Sequence, residues 1–522
     1  MRDLVNVRRP GYGMRYQAPR MRLGRSQFSL SHSHKTTFDA GKLIPYLVQE
    51  VVPGDTFTCK LQAFARIFSP LDAPIMDDIQ LGIDFFYVPN RLVWDNWEAF
   101  LGAHDEAGAQ DTSYTVPIIN TAKTVDEGDL FHYMGIPHGL LTTNEDINAL
   151  PFRAYLLIYN EWYRDQNLID EVTVDTSDGP QAHGVLTLLN SAKKHDYFTS
   201  ALPYLQKGTA SAVLFTEDAD VTIAGTTGEQ PSVYSTTTAN YKLLDADAAQ
   251  VDISASTDAD GSEKLYANLK GLTGITINAL REAAAIQRLL ERDARGGTRM
   301  PELIRSHFGV DVPDMRVQRP EYLGGGSGWV HVNPVANTSA TATENQGELA
   351  GIGTGEVRAS WAKSFVEHGY ILGILRARGQ VSYFQGLDRM WSRSTKYDFL
   401  WPELAQLGEQ SILNKELWIE GDATDDNVFG YQERYADYRY RKSLITGQFD
   451  PAAAAPLDFW HLGEQFGSQP SLNQIFVEDA TPMARVTTVD SQHDFIIDGV
   501  FDLRVARALP VRPTPTLAPA RF

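Results

Sequence analysis

The sequence predicts a mainly β protein, a β scaffold that carries long, partly helical insertions. Residues 57–67 and 494–508 alternate apolar and polar side chains, which is typical of half-buried strands. These two stretches lie near opposite ends of the chain, so the scaffold must accommodate most of the sequence between its strands. The 522 residues, 43% of them hydrophobic, are sufficient for a large core.

Further strands are predicted between these two. Residues 81–88 indicate a deeply buried strand, which Pro89 ends because proline cannot donate to a sheet ladder. Residues 69–79 contain two prolines and are predicted to form the preceding loop. Residues 365–384 form another apolar, alternating stretch.

Two helices are predicted within the insertions. Residues 152–164 fit a buried helix with Pro151 at its first position, where a missing N–H costs nothing. Residues 276–295 form the clearest helical pattern, and the glycines from Gly296 end it.

Two glycine-rich segments resemble phosphate-binding loops in composition only. GGGSG at 324–328 and GIGTGE at 351–356 are not followed by Lys-Ser or Lys-Thr, and neither lies between a clear strand and helix. We therefore expect turns or flexible links at both places.

The residues give no sign of catalysis. There is no G-x-S-x-G motif, no metal-site spacing and no cofactor motif, and the lone Cys59 lies inside a predicted strand. No apolar run approaches the roughly 18 residues of a membrane helix, and no secretory signal is apparent. We expect a soluble, non-enzymatic protein made in a cytoplasm, without membrane insertion.

Both ends of the chain differ from its middle. Residues 1–35 hold eight basic residues and one acid in a chain of net charge −20, and they predict an extended basic arm. Residues 509–522 contain four prolines and predict an extended tail.

The arm is the clearest indication of nucleic-acid binding. Its arginines alternate with Tyr12, Tyr16 and Phe28, and such residues neutralise phosphates and stack on unpaired bases. A solubilising tail, or an arm that clasps a neighbouring subunit, remains the alternative. The candidate DNA-binding residues are Arg2, Arg8, Arg9, Arg15, Arg20, Arg22 and Arg25.

Residues 207–270 predict an acidic surface insertion. Within 211–270 ten acids face three bases, among many Thr, Ser, Ala and Gly, and runs such as 219–223 and 251–255 suggest small exposed strands. A projecting module often carries recognition, whereas a plain solvated surface is the simpler interpretation.

Three long strings resemble the major capsid protein of the Microviridae, the small icosahedral single-stranded DNA phages. They are SHSHKTTFDAGKLIPYLVQEVVPGDTF (31–57), FSPLDAPIMDDIQLGIDFFYVPNRLVWDNWEAFLG (68–102) and LLERDARGGTRMPELIRSHFGVDVPDMRVQRPEYLGG (289–325). The third string is similar to the gokushovirus branch. The C-terminal strand and the proline-rich tail fit the family as well, and with them the strings cover about a quarter of the chain in the correct order and spacing.

The resemblance implies a viral jelly roll of eight antiparallel strands, formed here by residues 36–206 and 271–508. It also implies a T=1 shell of sixty copies that encloses circular single-stranded DNA. The implied partners are a small basic DNA-binding virion protein, a pilot protein and a host surface receptor. Such a protein belongs to the virion and is assembled in the cytoplasm of a bacterial host.

In that setting the insertion 207–270 corresponds to a three-fold protrusion that meets the host. Its candidate recognition residues are Glu217, Asp218, Asp220, Tyr234, Tyr241, Asp245 and Asp247.

Two aromatic-rich segments, 383–401 and 431–440, combine Trp, Tyr and Arg, the residue types enriched at interface hot spots. The alternative interpretation is that these side chains are ordinary core and ordinary surface residues without a role at an interface. The candidate subunit-interface residues are Trp391, Arg393, Tyr397, Trp401, Tyr435 and Tyr438.

Two other classes of protein fit the composition. One is an acidic, β-rich adhesion or carbohydrate-binding protein, against which the missing secretion signal argues. The other is a jelly-roll glycoside hydrolase, which would require a cleft with two suitably spaced carboxylates.

Overall fold

The structure is a computed structural model. It describes residues 24–102, 114–119, 122–142, 145–208, 277–296, 299–311, 318–338, 346–489 and 491–511, together with the backbone of short strands between 221 and 267.

Strands dominate the chain. In order they are β1 (Ser26–Ser29), β2 (His32–Phe38), β3 (Ile44–Val51), β4 (Thr56–Ile67), β5 (Ile79–Pro89), β6 (Ile118–Ile119), β7 (Ile147–Asn148), β8 (Val221–Ala224), β9 (Ser232–Ser235), β10 (Asn240–Ala246), β11 (Val251–Ile253), β12 (Lys264–Ala267), β13 (Glu321–Ala336), β14 (Leu349–Ser364), β15 (Gly369–Gly379), β16 (Glu409–Leu413), β17 (Val428–Glu433) and β18 (Phe495–Arg507). The helices are α1 (Trp97–Phe100), α2 (Leu130–Tyr133), α3 (Leu150–Ile158), α4 (Ile277–Arg295), α5 (Met300–Phe308) and α6 (Gln474–Val477).

One large sheet forms the scaffold. Its order is β1-β18-β4-β14-β13-β5-β15-β3, and β2 pairs with β18 beyond the end of β1. Neighbouring strands are antiparallel throughout. β4 and β18, from opposite ends of the chain, pair from Ile67↔Phe495 to Thr56↔Ala506. The sheet curls as a jelly roll does, which confirms the predicted fold class.

Tyr46 joins the two ends of the sheet order. It lies on β3, at one end, and its hydroxyl donates a 2.7 Å hydrogen bond to the carbonyl oxygen of His34 on β2. The Tyr46 and His34 rings stack with centroids 4.6 Å apart, and the Tyr46 ring also lies 5.4 Å from that of Phe501 on β18. The sheet therefore closes through side chains where its ladder ends.

The interior of this barrel follows the predicted parity. Every second side chain of β4 and β18 is buried, and those between them face outward. The buried side chains are Phe57, Cys59, Leu61, Ala63, Ala65, Ile67, Phe495, Ile497, Phe501, Leu503 and Val505. Since the side-chain period of a strand is two, one face of each strand supplies the core.

The glycine-rich segments at 324–328 and 351–356 lie inside β13 and β14, so the expected turns or flexible links are wrong. A Cβ at Gly353 would lie 2.3 Å from Cδ1 of Ile67 inside the barrel. One at Gly328 would lie 1.9 Å from a backbone carbonyl oxygen of β14. Glycine occurs at these positions because neighbouring atoms already fill the space.

A second core covers the outer side of β5 and β15. Phe86 and Leu372, which point away from the barrel, pack with apolar side chains of α3 and with the buried Trp94. Both faces of these two strands are therefore covered, which explains the nearly continuous apolar sequence at 81–88. The predicted helix at 152–164 is α3 followed by one π-helical turn.

Arg153 of α3 is fully buried and organises the chain around this core. Its guanidinium donates to Oε1 of Gln181 at 3.1 Å and to the carbonyl oxygens of Val93 and Ser177 at 3.2 and 3.0 Å. These bonds satisfy a charge that would otherwise be costly to bury. The long segment before residue 181 is thereby fixed without regular secondary structure.

A third core supports the irregular chain after β15. Phe198, Tyr383, Phe429 and Phe476 form its centre, beside the short hairpin of β16 and β17. This region is therefore held together by side chains from four separate segments and not by a continuous sheet.

The chain divides into two compact units, residues 1–205 with 298–522, and residues 206–297. The second unit contains the predicted insertion 207–270 together with α4. Its strands form a separate sheet of order β11-β10-β9-β12-β8, and β8 and β11 correspond to the small strands expected there.

The described end of the N-terminal arm is regular. Residues 26–29 and 32–38 are β1 and β2, both paired with β18, so the end of the predicted extended arm belongs to the scaffold sheet. Neighbouring β18 supplies the ladder that fixes them, which short polar sequences do not reveal.

Candidate assembly surface

The aromatic segment 389–401 begins at an ion pair whose carboxylate is buried. Arg389 donates to Oε1 of Glu416 at 2.9 Å and to the carbonyl oxygen of Ser411 at 2.6 Å. Glu416 also accepts a 3.0 Å hydrogen bond from the Tyr197 hydroxyl, and its burial raises the pKa of its carboxyl. The segment is thus attached to the third core at its first residue.

Local turns shape the middle of the segment. The carboxylate of Asp388 accepts a 3.0 Å bond from the backbone N–H of Met390, which caps a 3-10 turn. The carboxylate of Asp398 accepts bonds from the N–H groups of Thr395 and Ser394, and these bonds lower its pKa. Such caps hold a short turn without help from a sheet.

Tyr435 holds the end of the segment through hydrogen bonds of its buried side chain. It is 4% exposed and adopts left-handed backbone geometry with φ 62°. Its hydroxyl donates to the carbonyl oxygen of Phe399 at 3.1 Å and accepts from the N–H of Trp401 at 3.3 Å. A buried side chain thereby determines where two aromatic residues lie.

Arg393 connects the segment to residues 435–438. Its guanidinium forms an ion pair with Asp437, and both side chains are about nine-tenths buried. It also lies 4.2 Å from the centroid of the Tyr438 ring and 5.9 Å from that of Phe399. Charge and ring contacts therefore join the two predicted interface segments into one structure.

Large apolar side chains remain exposed on this frame. Trp391 is 71% exposed and Tyr397 is 59% exposed, although turns and ion pairs hold their backbone. We call the following residues the aromatic patch: Met390, Trp391, Tyr397, Phe399, Leu400, Trp401 and Tyr438. A group of exposed apolar side chains of this kind, on a backbone held by turns and ion pairs, favours a protein–protein contact over a free surface.

The structure brings the six predicted interface residues into the same region, in two roles. Trp391, Tyr397, Trp401 and Tyr438 expose their side chains, whereas Arg393 and Tyr435 lie beneath them. Sequence reasoning missed the exposed side chains of Met390, Phe399 and Leu400. The signal for them was their position within the aromatic-rich string itself.

Of the seven predicted DNA-binding arginines, Arg25 lies among the described residues. Its side chain is exposed, just before β1. Arg2, Arg8, Arg9, Arg15, Arg20 and Arg22 lie outside the described residues.

Three of the predicted recognition residues lie on strands of the second unit. Tyr234 of β9 and Tyr241 of β10 are direct partners in the antiparallel register, and Asp245 pairs with Asp252. Glu217, Asp218, Asp220 and Asp247 lie outside the described residues.

Among the residues that the structure describes, no group of three or more His, Cys, Asp or Glu is placed to hold a metal ion. No helix in this part of the chain is both long enough and apolar enough to cross a membrane.

Comparison with known proteins gives the family. The family described as "Capsid protein (F protein)" matches residues 17–517. This chain belongs to the phage F-type capsid protein family. The family match extends along the scaffold strands and the aromatic patch alike.

Relatives of this capsid family align over nearly their full length. Capsid protein VP1 of Bdellovibrio phage phiMH2K is 44% identical, covering 94% of this chain and 95% of the relative. VP1 of Chlamydia phage 1 is 37% identical, with 96% and 97% covered. VP1 of Spiroplasma virus 4 is 31% identical, with 94% and 95% covered. All three are Microviridae, which confirms the resemblance seen in the sequence.

Membership in this capsid family makes the chain a structural component of a phage virion that is assembled in its host, and not an enzyme. A capsid protein acts through contacts with copies of itself.

Proposed function

We propose that sixty copies of this capsid protein assemble in the bacterial cytoplasm into a T=1 icosahedral shell that encloses a circular single-stranded DNA genome. The resemblance to Microviridae capsid proteins implies this number and cargo. In this proposal residues 36–206 and 271–508 form the shell, with the basic arm on one side of it and the insertion 207–270 on the other.

The aromatic patch is the observation that supports assembly most directly. Trp, Tyr and Arg are the residue types that dominate binding at interfaces, and a rigid frame lowers the entropy lost on association. Ion pairs and capped turns hold this patch although its rings face solvent. The role we assign to Trp391, Arg393, Tyr397, Trp401, Tyr435 and Tyr438 is to form or support a subunit interface.

The charge distribution supports enclosure of DNA. Each copy carries a net charge of −20, while its first 35 residues carry eight basic residues and one acid. A shell can hold a polyanion only if these charges are segregated, with the arms facing inward. A small basic DNA-binding virion protein would neutralise further phosphates, and a pilot protein completes the proposed set of virion partners.

We assign attachment to a host surface receptor to the acidic insertion. Tyr234, Tyr241 and Asp245 lie on the sheet of the second unit, whose separate contacts are those of a module attached to a scaffold. Deleting residues 211–268 and joining the ends with a short glycine linker is expected to leave shells intact and to abolish adsorption. A chain that no longer folds after this deletion would contradict the assignment.

Electron microscopy and sedimentation of the protein expressed in bacteria test assembly. Uniform closed shells, or pentameric and trimeric assembly units, are the expected result. A stable monomer, unchanged across salt concentrations and on addition of single-stranded DNA, would overturn the proposal.

A further inference from the structure

A cavity of about 310 Å³ opens beside the barrel, in the first compact unit. β5, β13 and β15 form one side of it, and segments 194–198 and 440–443 form the other. Its volume lies at the lower end of the roughly 300–1,000 Å³ that is typical of small-molecule sites. The cavity shares no lining residue with the aromatic patch.

The walls combine cations with aromatic rings. Lys194, Arg378, Arg441 and Lys442 line the cavity, together with His195. Trp329 and Tyr440 are 48% and 58% exposed, so both rings are accessible at its edge. This combination is typical of sites where an unpaired base stacks on a ring and a cation contacts its phosphate.

The cavity is lined by more cationic than acidic side chains. Asp78 and Asp196 are its acidic lining residues. The carboxylate of Asp196 already accepts hydrogen bonds from the N–H groups of Phe198 and Thr199, at 2.9 and 2.8 Å. Lys442 already donates to the carbonyl oxygen of Glu416 at 2.6 Å, so three other cations remain beside two acids, in a chain whose net charge is −20.

The cations at the edge keep donors available. Lys194 and Arg441 are exposed, and neither forms an ion pair with any residue that the structure describes. Arg378 donates one long 3.3 Å bond to Oε1 of Gln80. Groups of this kind can contact phosphate without first breaking a native ion pair.

A second cavity of about 290 Å³ adjoins the first and shares Gln80 and Arg378 with it. Glycines of β13 and Arg376 line this second cavity. Arg376 is paired with Asp84 at 3.1 Å, so Arg378 is the cation left available between the two spaces. A phosphate that links two nucleotides would be contacted at this position.

We propose that this cavity binds one unpaired nucleotide of single-stranded DNA. Trp329 and Tyr440 provide the stacking surface, and Lys194, Arg378 and Arg441 contact the phosphates. The inference rests on the proposed enclosure of single-stranded DNA and adds to it a fixed binding site outside the basic arm.

Binding of a fluorescent oligothymidylate of about eight nucleotides to the purified full-length chain, followed by anisotropy, tests the site. The double variant Lys194→Gln/Arg441→Gln removes two cations, and Tyr440→Leu removes one ring. The matched controls are Lys60→Gln/Arg358→Gln and Phe64→Leu, exposed positions on the outward faces of β4 and β14. Thermal unfolding of each variant verifies that it is folded.

We expect Tyr440→Leu to weaken binding about fivefold or more, because stacking on one ring contributes that much per base. The double cation variant should reduce the slope of log affinity against log salt concentration by roughly 1.4, or about 0.7 for each phosphate contact. The control variants should bind as the wild-type chain does. With bromodeoxyuridine in the oligonucleotide, irradiation should crosslink it to Trp329 or Tyr440.

Two negative results are distinguishable. If the wild-type chain binds the oligonucleotide and the cavity variants bind it as well as the wild-type chain and the control variants do, the site is refuted. The proposed enclosure of DNA then still stands. If neither the wild-type chain nor its shells bind single-stranded DNA, the proposed function itself fails. A crosslink that maps elsewhere also overturns the site.

Discussion

The hydroxyl of Tyr46 occupies the space that a side chain at Gly499 would need. A Cβ at Gly499 would lie 2.3 Å from Oη of Tyr46. Burial also raises the pKa of the Tyr46 phenol well above its usual value, so it remains a donor to the carbonyl oxygen of His34. The missing side chain on β18 thus lets a tyrosine of β3 reach β2 and join the ends of the sheet order.

Gly499→Ala is expected to destabilise the fold by about 1–3 kcal/mol, because the added methyl group displaces Tyr46 from a close-packed site. Urea unfolding followed by circular dichroism measures the change. Gly467→Ala is the control, since a Cβ there meets no atom within 4 Å. Equal stability of the two variants would contradict the role of Tyr46 in closing the sheet.

Gly353→Ala tests whether the glycine-rich segment of β14 is packed or flexible. Since a Cβ at Gly353 would lie 2.3 Å from Cδ1 of Ile67, we expect a loss of about 1–3 kcal/mol. Ile67→Val removes the methyl group that clashes, and the double variant should recover part of the loss. Thr354→Ala, one residue along, is the control. Additive losses in the double variant would argue against the contact.

Trp391→Ser and Tyr397→Ser are expected to impair assembly without affecting the fold. Interface hot spots contribute about 2 kcal/mol or more, so the protein concentration needed for assembly should rise at least about tenfold. Light scattering measures that concentration, and the thermal unfolding temperature should not change. Val366→Ser provides the control, because Val366 is 83% exposed and lies outside the aromatic patch. Normal assembly of both patch variants would exclude the patch as an interface.

The pH dependence of stability should include a contribution from Asp479. It is 6% exposed, its Oδ2 has no hydrogen-bond partner in the described structure, and burial raises the pKa of its carboxyl from 3.8 to about 6. Between these values the folded chain binds a proton more readily than the unfolded chain. This group therefore lowers the free energy of unfolding as pH rises from about 4 to about 6.

Asp479→Asn should remove that decrease and stabilise the protein near neutral pH by up to about 3 kcal/mol. Urea unfolding at a pH below and a pH above this window, for both proteins, measures the difference. Asp126→Asn serves as an exposed control. If the Asn variant is no more stable than the wild-type chain at either pH, the buried carboxyl does not titrate as described.

Replacing Arg2, Arg8, Arg9 and Arg15 with Ser should reduce the DNA packaged per particle while shells still form. In the proposed function these side chains neutralise phosphates, and all four lie outside the described residues. The DNA content of purified particles is measured from the ratio of their absorbance at about 260 nm, where nucleic acid absorbs, to that at about 280 nm, where protein absorbs. Unchanged DNA content would refute the role of the arm.

Several elements were predictable from local patterns. β4 and β18 bury every second side chain, whereas β5 and α3 are almost continuously buried, and the bounds of all four agree closely with those inferred from sequence. The basic arm and the acidic insertion were predictable from composition, because the net charge of a segment follows directly from its residues. The Microviridae strings then supplied the jelly roll, which parity alone cannot specify.

Other features depend on distant partners. Glycines at 324–328 and 351–356 suggest flexibility until Ile67 and the neighbouring backbone are seen to fill the space beside them. β1 and β2 carry no apolar pattern and become strands because β18 pairs with them. The segment 389–401 is held by Glu416 and Tyr435, neither of which is close in sequence.

The sequence by itself determined the mainly β class, the family, the alternating cores of the scaffold strands and the segregation of charge, because each is encoded in local order or composition. Only the tertiary structure decided where glycine is required, how Tyr46 joins the sheet ends, which aromatic rings face solvent and where cations and rings enclose a cavity. These features arise from contacts between residues that are far apart along the chain, and no local pattern records such contacts.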